Sequence, residues 1–241
     1  MIYVTSDIHG RMDCLKKLLD YVNFGDEDWL YILGDVIDRN CNGGVDILKW
    51  LTVQPNVQLL LGNHEQMLLA NRWIFDEIRE DNFDSIDEQK LSLLKHWEVN
   101  GGGCTIRNLS KEAPETRQDI LEYLDECPLI DGACVNGRNY ILVHSGLGNY
   151  SENKRLKDYS EQELLWNRNS LNTVYNSNKY IVILGHTPTS FYSEEFKNRM
   201  IKADGWWDID TGAASEDGAP MLLCLDDLKE YYIEGDGVFE K

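Results

Sequence analysis

YILGDVIDRN (Tyr31–Asn40) begins as an apolar run and ends in a cluster of charged side chains. The run Leu30–Leu33 predicts a short buried strand, and the glycine after it frees the backbone for a turn. Asp35, Asp38 and Arg39 follow at once. A core strand that ends on two carboxylates and a guanidinium indicates a functional loop at the carboxyl end of that strand.

Similar segments lie on both sides of this one. The runs Ile2–Thr5 and Val57–Leu61 have the composition of buried strands, and helices with one apolar face are predicted near 12–22 and 45–51. A third helix is predicted after GNHE (62–65). Strands that alternate with helices in this way predict a parallel sheet with crossover helices, so the predicted fold class is α/β.

The rest of the chain changes character twice. Residues 76–127 are predicted to be mainly helical and strongly charged, as a helical insertion within a single domain over 1–241. The pattern then becomes that of strands, and Asn136-Gly137 between two apolar runs is a strong hairpin signal. A short helix is predicted at 162–169. Further strand-like runs lie at 180–184, 200–203, 206–209, 221–225 and 230–233.

Composition and charge exclude several classes of protein. Forty-two acidic residues against 23 basic ones give a formal charge of -19, which argues against a sequence-independent nucleic-acid binder. A phosphate substrate would therefore need cations in the site itself. No apolar run approaches the roughly 20 residues of a membrane span, and the absence of a basic leader predicts a cytoplasmic protein. Six cysteines without a CxxC pair predict reduced thiols.

Polar loops follow five of the strand-like runs, and four of the five histidines stand in them. A single histidine in such a place is most often a packed ring, but four beside strand-end carboxylates indicate a site. Because the carboxyl ends of strands in an open α/β sheet share one crevice, we expect these side chains to meet. The loops are SDIHG with Asp7 and His9, GDVIDR with Asp35, GNHE with Asn63 and His64, HSG with His144, and GHTP with His186.

The chemistry of these side chains predicts a metal site. Imidazole, carboxylate and carboxamide groups suit divalent ions, and no cysteine joins the set. Two ions about 3.5–4 Å apart recur in enzymes that hydrolyse phosphate esters. The set is large enough for two ions if one carboxylate bridges them, with Mn²⁺ expected and Fe or Zn also compatible. The six candidate ligands are Asp7, His9, Asp35, Asn63, His144 and His186.

The five motifs SDIHG, GDVIDR, GNHE, HSG and GHTP, in this order, resemble the phosphoprotein-phosphatase branch of the calcineurin-like metallophosphoesterases. The further stretches GNHEQM, NGGG, CPLI, LLWNR and DIDTGA are similar to the bacteriophage lambda-type serine/threonine protein phosphatase. The resemblance runs from residue 1 to about 215. It implies two packed mixed β-sheets flanked by helices, an αββα sandwich, with the metal ions at the strand ends.

The resemblance also implies a role for each site residue. His64 would be the general acid that protonates the leaving oxygen, and Asp38 would orient its imidazole. Arg39 and Arg168 would bind the substrate phosphate, together with Asn63. The first metal would be held by Asp7, His9 and Asp35, and the second by the bridging Asp35 with Asn63, His144 and His186.

The implied activity is hydrolysis of phosphomonoesters by direct attack of a metal-bridging hydroxide. The expected partner is a phosphoprotein or phosphopeptide with phosphoserine or phosphothreonine, and phosphotyrosine as a further class. One alternative is a symmetrical dinucleoside tetraphosphate hydrolase, which would need a larger anion-binding and purine-stacking surface. Another is a non-catalytic phospho-binding scaffold, which the complete ligand set disfavours.

Two positions depart from the pattern of the family. Asn40 stands where glycine is usual, and Leu61 stands where the lambda-type pattern has a basic residue before GNHE. Asparagine tolerates positive φ, so we expect Asn40 to preserve the turn through its backbone, which would make Asn40→Gly neutral or mildly stabilising. Leu61 removes one cation near the phosphate, which leaves the substrate preference open.

Overall fold

The computed structural model describes residues 1–40, 42–76 and 86–241. Cys41 and the early part of the predicted insertion, 77–85, lie outside the described residues. Within the described ranges, no helix combines the length and the apolar character that crossing a membrane requires.

The strands form two mixed sheets. Their bounds are β1 Ile2–Thr5, β2 Trp29–Ile32, β3 Val57–Leu59, β4 Ile130–Val135, β5 Arg138–Val143, β6 Ile181–Leu184, β7 Ile201–Ala203, β8 Trp206–Asp208, β9 Leu222–Cys224, β10 Glu230–Glu234 and β11 Gly237–Glu240. The first sheet has the order β11-β10-β9-β1-β2-β3, in which β1, β2 and β3 run parallel and β9, β10 and β11 are antiparallel neighbours. The second has the order β4-β5-β6-β8-β7, with β5, β6 and β8 parallel.

Helices cover the outer face of the first sheet and connect its parallel strands. A π-helical turn at Glu98–Gly102 joins two of them, and short 3-10 turns lie at 72–75, 156–158, 189–191 and 194–196. The α-helices are α1 Met12–Tyr21, α2 Val45–Leu51, α3 Asn63–Ala70, α4 Glu88–Trp97, α5 Gly103–Leu109, α6 Pro114–Glu126 and α7 Glu161–Leu165.

Side-chain alternation along the strands builds three apolar layers. In β1, Tyr3 packs among the helices, whereas its neighbour Val4 packs between the two sheets. In β5, Leu142 faces the layer between the sheets and Val143 faces the opposite layer. Trp97 belongs to the same core cluster as the helices of the first sheet. The predicted sandwich of two mixed sheets with helices is therefore confirmed.

The Asn136-Gly137 pair forms the predicted hairpin between β4 and β5. Val135 pairs with Arg138 across the turn, and both central residues have positive φ, 50° at Asn136 and 76° at Gly137. Such a two-residue turn matches the twist of antiparallel strands, which is why asparagine and glycine favour it.

The structure differs from the sequence-based expectations at several element ends. The helix predicted over 162–169 ends at Leu165, because the backbone N–H of Asn167 donates to the Ser145 hydroxyl instead of continuing the helix. Trp166 and Arg168 consequently belong to a loop beside the strand ends. Strand β11 was not predicted, since it is a short, largely exposed edge strand without apolar alternation.

Candidate active site

The structure brings the predicted metal ligands and the pair Asp38 and His64 together at one edge of the sandwich. Each follows a strand directly or within a few residues. The carboxyl ends of two strands of the second sheet therefore lie beside the carboxyl ends of three strands of the first. All are buried, with at most 8% of the surface of any of them exposed. They are Asp7 and His9 after β1, Asp35 and Asp38 after β2, Asn63 and His64 at the start of α3, His144 after β5 and His186 after β6.

An unusual backbone directs these side chains into a common space. Left-handed φ costs a non-glycine residue roughly 1–2 kcal/mol, so a concentration of such residues indicates a functional constraint. The loop backbones are held by one another, as shown by the His9 N–H that donates to Asp35 O at 2.9 Å. The left-handed site residues are Asp7, His9, Asp35, Asp38, Arg39 and His186, with φ between 45° and 70°.

Asp35 is the centre of the arrangement. Its Oδ2 lies 3.5 Å from His144 Nε2 and 3.8 Å from both His9 Nε2 and His64 Nε2. Two groups of side chains that could each hold a cation share this carboxylate, namely Asp35 with His9 and His64, and Asp35 with His144 and His186. This is the placement expected of a carboxylate that bridges two ions.

The hydrogen bonds of the histidines fit the site for metal ions. The Nδ1 atoms of His9 and His144 donate to the carbonyls of Ile37 (2.8 Å) and Leu33 (2.7 Å), which leaves a lone pair on each Nε2. His144 Nε2 then faces Asn63 Oδ1 at 2.9 Å, so two acceptors point at the same space. A divalent cation there would satisfy both of them.

His186 and Asp7 are the remaining candidate ligands, from the second sheet and from the loop after β1, and Asp7 lies outside both of the groups that share Asp35. The Nε2 of His186 is buried without a hydrogen-bond partner among the described residues. The backbone N–H of His186 donates to Asp7 Oδ2 at 2.9 Å, and the Ser6 hydroxyl donates to the same oxygen. A ligand role for Asp7 therefore falls to its other carboxylate oxygen.

Burial sets the protonation of the site. It lowers the pKa of His9 to about 3 and that of His186 to about 2, with neighbouring histidines adding to the effect, so both rings are neutral. Burial also raises the pKa of Asp35 well above its usual range, with repulsion from Asp7 and Glu65 as the next causes. Neutral imidazoles and crowded carboxylates form a site that gains stability when cations enter.

Asp38 holds the imidazole of His64. Its Oδ2 lies 2.6 Å from His64 Nδ1 and accepts from Trp97 Nε1 at 2.8 Å, while its Oδ1 accepts from the Thr105 hydroxyl. Sequence reasoning missed Trp97 and Thr105, because they come from the helical insertion and carry no recognisable motif. The His64 Nε2, which faces the cleft, lies 3.4 Å from the Arg39 guanidinium.

Burial opposes charge on both members of this pair. It lowers the pKa of His64 well below its usual value, with Arg39 as the second cause, and raises the pKa of Asp38 to about 7. A substrate phosphate placed against His64 would reverse the shift, since a nearby negative charge favours the imidazolium. An anion bound beside His64 would therefore favour a proton on its ring.

The two predicted phosphate-binding arginines both line the cleft above this centre. Arg168 Nη1 donates to the Thr187 hydroxyl at 3.0 Å, which ties the loop after α7 to the loop of His186. Aromatic side chains share the lining, and Phe191 is 75% exposed there. Asn100 of the NGGG segment also lines the cleft, so this segment forms part of its rim.

Glu65 supports the site from below, without facing the cleft. Its Oε2 accepts from the backbone N–H groups of Asp35 (2.8 Å) and Gly62 (2.9 Å), and its Oε1 accepts from Val36 (2.9 Å) and Ile37 (3.4 Å). One buried carboxylate therefore fixes both the loop after β2 and the start of α3.

Glu65→Gln should lower the free energy of unfolding by about 2–4 kcal/mol, because an amide NH₂ would face backbone N–H donors that now share a carboxylate. Urea denaturation measures this loss, and Glu88→Gln, at an exposed position of α4, is the matched control. Equal stability of the Glu65 variant and the parent would contradict the support role.

The expectation for Asn40 is wrong. Asp38 and Arg39 carry the positive φ of this turn, and Asn40 does not. Its side-chain Nδ2 instead donates to the carbonyls of His9 (2.8 Å) and Ala213 (3.0 Å). Asn40 therefore joins the loop after β1 to the DIDTGA segment, a link that glycine could not make.

Asn40→Gly should weaken the binding of added Mn²⁺ about tenfold, because two hydrogen bonds worth about 1 kcal/mol each hold the His9 loop. Asn40→Asp, which keeps the size but cannot donate, should behave in the same way. Titration calorimetry with Mn²⁺ measures the affinity, and an unchanged affinity in both variants would restore the view that only the backbone at this position matters.

Comparison with known proteins identifies the family. A family model described as calcineurin-like phosphoesterase matches residues 1–211. A symmetrical bis(5'-nucleosyl)-tetraphosphatase of Pseudomonas fluorescens is 28% identical over 181 residues, 74% of this chain and 54% of its own. The symmetrical bis(5'-nucleosyl)-tetraphosphatase of Acidovorax ebreus is 27% identical over 147 residues, which cover 61% of this chain and 44% of that protein. The chain spans about half the length of these curated relatives.

Solved structures with a similar fold cover the whole chain. A crystal structure of a candidate diadenosine tetraphosphatase has a TM-score of 0.56 at 19% identity and is covered over 92% of its length. A protein serine/threonine phosphatase of Saccharomyces cerevisiae has a TM-score of 0.52 at 14% identity and is covered over 78%. At these identities the similarity shows the fold alone. Because the family model covers most of its residues, the chain belongs to the calcineurin-like phosphoesterase family.

Proposed function

We propose that this chain is a metal-dependent hydrolase of symmetrical dinucleoside tetraphosphates. The curated relatives that carry this activity in their names support the substrate class. The observation in the structure that carries the proposal is the cleft itself, where two guanidinium groups and exposed aromatic surface lie around the candidate metal centre. The aromatic side chains are Trp166 and Phe191. The guanidinium groups suit a polyphosphate, and the aromatic surface suits a purine base.

Divalent ions, most suitably Mn²⁺, would polarise the phosphoryl group and activate water when bound by the six candidate ligands. The remaining chemistry falls to other side chains of the chain. Arg39 and Arg168 would each offer a planar pair of N–H donors to phosphate oxygens. His64 would donate the proton on Nε2 to the leaving oxygen, while Asp38 keeps Nδ1 in place. Cleavage of the central P–O–P link consumes one water and yields two nucleoside diphosphates.

A phosphomonoesterase of the serine/threonine protein phosphatase type is the second candidate. The lambda-type motifs favour it, and the loop of LLWNR does place Arg168 in the cleft. The formal charge of -19 also favours it, because a tetraphosphate carries more negative charge than a phosphomonoester and is repelled more strongly. Its partner would be a phosphoprotein or phosphopeptide.

Side-by-side kinetics with Mn²⁺ decide between the two candidates. The substrates are diadenosine tetraphosphate, a phosphoserine peptide and p-nitrophenyl phosphate, with chelator-treated protein as the blank. We expect kcat/KM for the dinucleotide to exceed that for the peptide at least tenfold, with ADP as the product. Preference for the peptide would establish the second candidate instead. Absence of manganese-dependent turnover with all three substrates would overturn both.

A further inference from the structure

A second, larger cavity lies next to the metal-site cleft. It encloses about 720 Å³, within the range of small-ligand sites in proteins. Its described walls come from α3, α4 and α7 and from the chain segments beside them. They are mainly apolar and include Leu61, Met67, Leu93, Leu165 and Trp166. Leu61 stands where the lambda-type pattern has a basic residue before GNHE. The residue that departs from that pattern therefore lines this cavity.

Trp166 connects the cavity with the catalytic cleft, because its indole lines both. On one side its ring centroid lies 6.2 Å from that of His186, a candidate metal ligand. On the other side it lies 5.9 Å from that of His96, which lines the cavity. The Trp166 Nε1 donates to Gln66 Oε1 at 2.8 Å, which fixes the indole in this place. A molecule with phosphate at the metal centre could therefore reach the cavity past one side chain.

We propose that this cavity binds one adenine base of the dinucleotide, an inference that rests on the proposed function. The apolar walls would hold the purine ring. Trp166 would lie where the base-bearing end of the substrate leaves the phosphate cleft. The apolar Leu61 is then a specificity-determining residue, since a basic side chain there would place a charge in the base pocket.

A variant that fills the cavity tests the proposal. Ala70 lines the cavity at the exposed end of α3, so Ala70→Trp adds bulk without disturbing the core. We expect it to raise KM for diadenosine tetraphosphate at least tenfold and to leave p-nitrophenyl phosphate turnover within twofold of the parent. Val53→Trp, at a residue 71% exposed after α2, is the matched control and should change neither. Leu93→Trp, from α4, repeats the test if the first variant folds poorly.

Calorimetry with adenosine alone separates this inference from the proposed function. We expect binding to the parent and to Val53→Trp, and none to Ala70→Trp. If the parent hydrolyses the dinucleotide and Ala70→Trp has the same KM, the cavity proposal fails while the proposed function stands. If the dinucleotide is not hydrolysed, the proposed function fails, and adenosine binding that Ala70→Trp abolishes would still support the cavity. No adenosine binding by the parent would overturn it.

Discussion

His64→Asn is expected to lower turnover by about 10² with a dinucleoside tetraphosphate and by up to about 10⁴ with a phosphoserine peptide. Removal of a general acid costs about 10²–10⁴, and the cost grows as the leaving group becomes more basic. A nucleoside diphosphate leaves more easily than a serine alkoxide, so it depends less on the proton from Nε2. Single-turnover rates with both substrates measure the difference.

Metal content distinguishes an acid from a ligand in this variant. The Nε2 of His64 lies as close to Asp35 as that of His9, both at 3.8 Å, so geometry alone admits either role. We expect His64→Asn to retain the parent's metal content, because the Arg39 guanidinium lies 3.4 Å from His64 Nε2 and would repel a cation there. His9→Asn is the comparison variant and should lose metal. Equal metal loss in both variants would show that His64 is a ligand.

Asp35→Asn should lower the activity by more than about 10³-fold and remove most of the bound divalent metal, because the shared carboxylate would belong to both ion positions. The backbone should tolerate the change. Asparagine accepts the φ of 54° at this position, and its Oδ1 can still receive the His64 N–H that Asp35 now binds at 3.0 Å. Elemental analysis and kcat/KM measure the two losses.

The stability of the metal-free protein should change in the opposite direction. Burial and repulsion from Asp7 raise the pKa of Asp35, so its charge at neutral pH destabilises the metal-free fold. Without metal, Asp35→Asn should therefore melt at or above the temperature of the parent. Asp26→Asn, at an exposed position, should change neither activity nor melting. A metal-free Asp35→Asn protein that melts far below the parent would indicate misfolding in place of ligand loss.

The sequence predicted which side chains would meet, because strand ends impose few alternatives. Each motif follows an apolar run, and parallel strands bring their carboxyl ends to one edge whatever the intervening helices do. This is why Asp35, His144 and His186 could be grouped across more than a hundred residues of chain. The hairpin at Asn136 was equally predictable, since its turn chemistry is local.

Asn40 shows where such reasoning fails. Its sequence context pointed to a backbone role, whereas its side chain spans from His9 to Ala213. The partner lies 173 residues away, and no local pattern records it. The hydrogen bonds from Trp97 and Thr105 to Asp38 were not predictable for the same reason, because a helical insertion can pack its residues against the site in many ways.

The sequence by itself determined the fold class, the strand-end loops and the chemical types of the candidate ligands, because these depend on local periodicity and on the order of motifs. Only the tertiary structure decided how Glu65 ties two loops together and how Asn40 joins two others. It alone placed an apolar cavity beside the cleft, with Leu61 in its wall. Such features arise from packing between distant segments, whose contacts depend on distances and directions that no linear pattern specifies.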